Sequence, residues 1–176
     1  QSRWIHLTGI TVALSETCEG LVREVLQEAR HQGIPTSFDL NYRARLWSPE
    51  HAGQVLSSLC PLATVLFGAE RDARLLFNHE AQGANLLHAV QDQLGCPLVV
   101  LTHGDQGSLA LADGQVYHAP SFPVEIVDRI GAGDAFAGGF LFAHLQGWPL
   151  DQALRWGNAT AALKLTIPGD WALVSR

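Results

Sequence analysis

Asp134 lies in the run Val127-Asp128-Arg129-Ile130-Gly131-Ala132-Gly133-Asp134-Ala135-Phe136-Ala137-Gly138-Gly139-Phe140, where a glycine-rich turn leads straight into residues of helical spacing. Glycines let backbone N–H groups come close to an anion, and the start of a helix adds partial positive charge. Gly131, Ala132 and Gly133 therefore read as an anion hole suited to a phosphoryl group gaining negative charge. A carboxylate beside such a hole can accept the proton of an attacking hydroxyl, which is the chemistry offered to Asp134. Two blander readings stand next to this one. Asp134 can be no more than the polar residue that opens a helix. The glycines can also belong to a dinucleotide-binding turn, but Phe136 occupies the position of the third glycine, and a carboxylate would repel a pyrophosphate.

Other residues carry weaker signals. Arg43 follows residues 35–40, which read as a strand, and an Arg at a strand end suits a planar carboxylate or phosphate. Taken alone, it reads more readily as a surface Arg paired with a nearby acid. Thr102-His103-Gly104-Asp105-Gln106-Gly107-Ser108 follows a continuous apolar run, and by itself suggests an ordinary turn between strands. Asn158-Ala159-Thr160 has the form of a glycosylation sequon, which a helical position in a cytosolic protein argues against. The eight His residues form no HExxH and no Cys/His cluster, so nothing supports a transition-metal site.

The elements that must position these residues alternate. Residues 4–7 read as a strand, residues 14–32 as a helix stopped by Gly33, and residues 35–40 as a second strand. Ser48-Pro49-Glu50 is a helix start, with Ser48 as cap and Pro49 in the first helical position. Residues 63–67 read as a strand, and 69–77 and 84–94 as helices. Residues 97–102 contain an unbroken apolar run, as expected of a strand covered on both faces. Residues 108–112 and 115–117 carry a hairpin signal through Asp113-Gly114, and residues 133–146 and 149–164 close the chain as helices. Such alternation predicts an α/β fold with a mostly parallel sheet. No repeat, low-complexity segment or rich linker divides it.

Composition excludes several classes. The 176 residues suit one domain with a sizeable core, and the 47% hydrophobic and 16% charged content is that of a globular chain. A formal net charge of −6 and a pI near 5.7 argue against a general nucleic-acid or anionic-membrane surface. Any bound polyanion has to be held locally. No apolar run is long enough to span a bilayer, and no signal peptide opens the chain. Cys18, Cys60 and Cys96 are odd in number and lack a CxxC pair, which points to buried free thiols in a cytoplasmic protein.

The Gly131–Asp134 segment resembles the C-terminal signature of the ribokinase-like (PfkB) carbohydrate kinases. Phe38-Asp39-Leu40-Asn41-Tyr42-Arg43-Ala44-Arg45-Leu46-Trp47, together with Arg129, is most similar to the 2-keto-3-deoxygluconate kinases among them. The resemblance covers essentially the whole chain. It implies a three-layer α/β/α sandwich with a small β lid, and ATP and Mg2+ as cofactors. It makes Asp134 the base acting on the sugar's terminal hydroxyl, and Gly131, Ala132 and Gly133 the cradle of the transferred phosphate. Arg43 is implied to reach both substrate and phosphate, with Asn41 beside it near the nucleotide. Thr102, Gly104, Gly107 and Ser108 are implied to line the ATP loop, and Asn158 to lie beside adenine and ribose. Neutral sugars of the fructose or ribose type, a non-catalytic nucleotide-binding role, and a homo-oligomer are compatible with the same resemblance.

One departure stands out. The family's Asn-x-x-Glu segment, which organises magnesium through water, corresponds here to Ala69-Glu70-Arg71-Asp72, so no metal ligand is assigned. The resemblance also implies that residues 1–176 form the C-terminal, nucleotide-binding and catalytic portion of one kinase domain. The first strands and the lid would then lie N-terminal to Gln1, and a few residues would follow Arg176.

Overall fold

The computed structural model describes residues 2–170. Strand β1 (Ile5–Thr8) is followed by helices α1 (Gly9–Ala13) and α2 (Glu16–His31), then strand β2 (Thr36–Asp39). Helix α3 (Pro49–Leu59), strand β3 (Val65–Ala69), helices α4 (Glu70–Phe77) and α5 (Gly83–Leu94) and strand β4 (Leu98–Thr102) come next. Strands β5 (Ser108–Ala112) and β6 (Gln115–Ala119) and helices α6 (Ala132–Leu145) and α7 (Leu150–Leu165) complete the order. The six strands form one sheet in the order β1-β2-β3-β4-β5-β6. Parallel pairing places Ile5 opposite Thr36, and Phe38 opposite Leu66.

Local chemistry explains most boundaries. Ser15 Oγ accepts the Cys18 N–H at the start of α2, and Ser48 Oγ accepts the His51 N–H at the start of α3, with Pro49 next to it. Both serines thereby satisfy a helix N–H that lacks an internal partner. Gly33 takes a left-handed φ of 66° just past α2. The Asp113-Gly114 turn has φ of 50° and 74°, the two positive values that a two-residue hairpin of right-handed twist requires. One element differs from the sequence expectation. Gly9–Ala13 is a short helix, where the sequence reading has the turn after the first strand and starts its helix at residue 14. Thr8 Oγ1 accepts the Ile10 N–H and tips the balance by capping it.

The contacts of the chain resolve into two compact units. The first comprises residues 2–101 and 111–115, and the second residues 102–110 and 116–170. In the first unit, the strand residues Phe38, Leu66 and Val99 are wholly buried. In the second, α6 and α7 pack closely because small residues face each other. A β-carbon on Gly139 would collide with the Thr160 side chain, and one on Gly157 would fall 2.9 Å from the Phe136 ring. Phe142, Trp148 and Trp156 form a partly exposed aromatic group, with the two indoles 5.5 Å apart at 79°. Among the described residues no helix is long and apolar enough to cross a membrane.

Candidate active site

All but two of the expected site residues fall in the second unit. Its centre is the start of α6. Gly131 is the residue before the helix and has φ +79°, a conformation that only glycine adopts without strain. A β-carbon there would also collide with the Asp170 carbonyl oxygen. Among the described residues no side chain caps this helix, unlike α2 and α3. The Ala132 N–H makes a long 3.4 Å bond to the Arg129 carbonyl, and the N–H groups of Gly133 and Asp134 are left for an incoming anion. Ala132, Gly133 and Asp134 make up its first turn, and Gly133 and Asp134 are exposed. A β-carbon on Gly133 would meet nothing within 4 Å. The two glycines thus have different jobs. Gly131 is required by backbone geometry, whereas Gly133 keeps the mouth of the turn bare.

Asp128 has a role that the motif alone does not reveal. Its Oδ1 accepts the Ile130 N–H at 3.0 Å and its Oδ2 accepts the Gly169 N–H at 3.1 Å. The Ile130 N–H above all holds its carboxyl below the usual range. Partial burial opposes this, and the Gly169 N–H and the Lys164 ammonium reinforce it. The legible signal was an Asp two residues before a backbone N–H in a turn.

The loop after β4 is built on turns. The His103 N–H donates to the Gly107 carbonyl at 2.8 Å, and a 3-10 turn spans Gly104–Gln106. Gly104 (φ 55°) is exposed with free space where a side chain would be. Gly107 (φ 97°) is packed so tightly on Ala119, Pro120 and Ser121 that no β-carbon fits. Thr102 ends β4 at the mouth of this loop. Ser108 is wholly buried, its hydroxyl included. Asn158 is buried as well, and its amide donates to the carbonyls of Ala119 and Pro120 at 3.0 and 3.1 Å. It fastens the chain leaving β6 to α7.

Asn41 and Arg43 lie in the first unit, just past β2. Asp39 Oδ1 accepts the Asn41 N–H at 3.0 Å, and Asn41 takes φ 37°. This turn brings Arg43 to the surface, where its charge acts on Asp72 at the start of α4. Burial pushes the Asp72 carboxyl up, while Arg71, at 3.2 Å, and Arg43 pull it down. Among the described residues no three His, Cys, Asp or Glu side chains converge into a metal cluster. Magnesium in phosphoryl transfer needs only one or two protein carboxylates beside the substrate's phosphates. Asp72 offers one such group.

The sequence profile of the pfkB family of carbohydrate kinases matches residues 1–173. The chain belongs to that family. Its α/β architecture, with six strands in one sheet and seven helices among the described residues, is the ribokinase-like one expected from the sequence. A 2-dehydro-3-deoxygalactonokinase of Haloferax volcanii is 44% identical over 170 residues, covering 97% of this chain and 54% of that protein. The crystal structure of 2-dehydro-3-deoxygluconokinase from Thermotoga maritima superimposes with a TM-score of 0.90 at 29% identity, over 98% of this chain and 57% of that one. An Escherichia coli protein assigned as a ribokinase II, solved with ATP and Mg2+, gives a TM-score of 0.84 at 26% identity, over 96% and 54%. The chain thus spans about half the length of the relatives it matches.

Proposed function

We propose that the chain is the nucleotide-binding and catalytic portion of an ATP-dependent kinase that phosphorylates the terminal hydroxyl of a 2-keto-3-deoxy sugar acid, 2-keto-3-deoxygluconate in the first instance. The observation that carries this reading is the uncapped, glycine-led start of α6, with an exposed carboxylate in its first turn. Asp134 takes the proton of the sugar hydroxyl as its oxygen attacks the γ-phosphorus of ATP. The new P–O bond forms as the bond to the β,γ-bridging oxygen breaks, and ADP leaves with that electron pair. The N–H groups of Ala132, Gly133 and Asp134 receive the charge that builds on the transferred group. Asp72, which stands where the family pattern has its magnesium-organising Glu, would help hold a magnesium ion, and that ion would supply charge to offset the ATP phosphates. Arg43 pairs with the substrate carboxylate or a phosphate through its planar fork. Gly104 leaves room for the nucleotide, while Asn158 and Gly107 hold the loop that would receive it.

The 44% identity to a galacto-configured relative favours a second reading in the same chemistry, the galactonate epimer as preferred substrate. A coupled ADP-release assay on the complete polypeptide, with ATP and magnesium, separates the readings. It compares 2-keto-3-deoxygluconate, 2-keto-3-deoxygalactonate and fructose by kcat/KM. A preference for either sugar acid supports the proposal and ranks the epimers. A preference for fructose overturns the sugar-acid assignment, and no turnover on any of them leaves only nucleotide binding.

A further inference from the structure

Lys164 is the only charged side chain with zero exposure among the described residues. Lysine is rarely buried whole, because an ammonium taken out of water is destabilising unless hydrogen bonds and opposite charge offset the loss. Its surroundings supply both. Lys164 lies in the last turn of α7, where the helix dipole favours a cation. Its Nζ donates to the Ile167 carbonyl at 3.0 Å, and the Ile167 N–H returns a bond to the Lys164 carbonyl at 3.0 Å. The segment it braces is the one on which the α6 turn rests. The Val127 and Asp128 N–H groups donate to the Leu165 carbonyl at 2.8 and 3.2 Å. Asp128 Oδ2 accepts from Gly169, and Gly131 lies against the Asp170 carbonyl. Residues 127–131 are thus fastened to residues 165–170 at successive points, with the ammonium beneath the fastening.

Resting on the function proposed above, we propose that Lys164 is a positioning residue: its buried ammonium fixes the segment after α7 and, through Asp128, holds the Asp128–Gly131 turn in the shape that opens the start of α6 to a phosphoryl group. It touches neither sugar nor nucleotide. Its effect falls on the transition state more than on substrate binding, because a turn shifted by a fraction of an ångström still binds ATP but places the N–H groups wrongly.

The test uses the complete polypeptide with Lys164→Met, Asp128→Asn and the double variant. It reads kcat, the KM for ATP, Tm, and hydrogen exchange of the amides in 128–133. Lys164→Met keeps the length of the side chain and gives up one hydrogen bond, to the Ile167 carbonyl, while removing the cost of a buried charge, so it is expected to keep its fold. Its kcat should fall at least about tenfold, with the KM for ATP within about threefold. Exchange in 128–133 should speed up. Asp128→Asn should do the same, and the double variant should add little, since the two act on one turn. In Lys164→Ala, added methylammonium should restore part of kcat, which a purely structural role would not show. Wild-type kcat and exchange in Lys164→Met overturn the proposal. If that variant does not fold, the partly exposed Asp128→Asn decides, and unchanged kcat and exchange there overturn it equally. The exchange measurement needs no turnover, so loss of the kinase reading and loss of this one are told apart.

Discussion

Gly131, at φ +79°, lies against the carbonyl oxygen of Asp170 so closely that a β-carbon has no place between them. Gly131→Ala therefore brings both backbone strain and a collision. It should destabilise by about 1 kcal/mol or more, lowering Tm by roughly 2–4 °C or more. Gly133→Val is the contrasting variant, since its site is helical and open. Thermal melts should show little change for Gly133→Val, while its phosphoryl transfer is severely impaired by a branched side chain in the mouth of the turn. A Gly133→Val protein with normal kcat would mean that the phosphate is held elsewhere.

Asp134→Asn keeps size and shape but loses the ability to take a proton. Turnover should fall by at least about a hundredfold, with the affinity for ATP preserved. Single-turnover kinetics with saturating sugar and magnesium, alongside calorimetric titration of ATP, measure both. Near-normal turnover removes Asp134 as the base.

Arg43 is the test of substrate class. A lost charge-assisted contact amounts to roughly 1.5–3 kcal/mol, or about tenfold to a hundredfold in kcat/KM. Arg43→Lys keeps the charge without the fork, so kcat/KM should fall measurably for a sugar acid and less for fructose. Equal losses on both, at saturating ATP, place Arg43 on the nucleotide side instead.

Asp72 gives a pH dependence. Its folded-state pKa is raised above 3.8, chiefly by burial, with Arg71 and Arg43 opposing. A carboxyl shifted this way contributes stability that is complete below its unfolded pKa and is lost as pH rises through the folded value. Asp72→Asn should therefore raise Tm at pH 7, and the gain should shrink as pH falls toward 4. A gain that grows with acidity contradicts the burial of this carboxylate.

Much of the fold was legible because its punctuation is chemical. Ser48-Pro49 and Asp113-Gly114 each name one backbone geometry, and α3 and the hairpin follow where they stand. Helices α6 and α7 fall within a residue or so of their expected limits, since apolar spacing and short turns define them. Helix α1 was hidden because β-branched residues favour strands, and a single cap outweighed them. In the site, sequence marked the motif but not the division of labour between Gly131 and Gly133, which depends on φ and on Asp170 far along the chain. The buried amide of Asn158 and hydroxyl of Ser108 were likewise invisible as such, because a polar residue type says nothing of which way it faces. Lys164 left a trace. It lies two helical turns beyond buried Gly157, on a stripe where a lysine is out of keeping.

Trp148 and Trp156, 5.5 Å apart and nearly perpendicular, are also an optical device. Two strong chromophores that close share their excitations, and their skewed arrangement rotates polarised light in the same ultraviolet region as the peptide bonds. The circular dichroism of this protein is therefore a sum of backbone and indole signals. A helix content taken from it without the Trp148→Phe spectrum as a blank will be in error, and the difference between the two spectra is a private readout of how α6 and α7 meet.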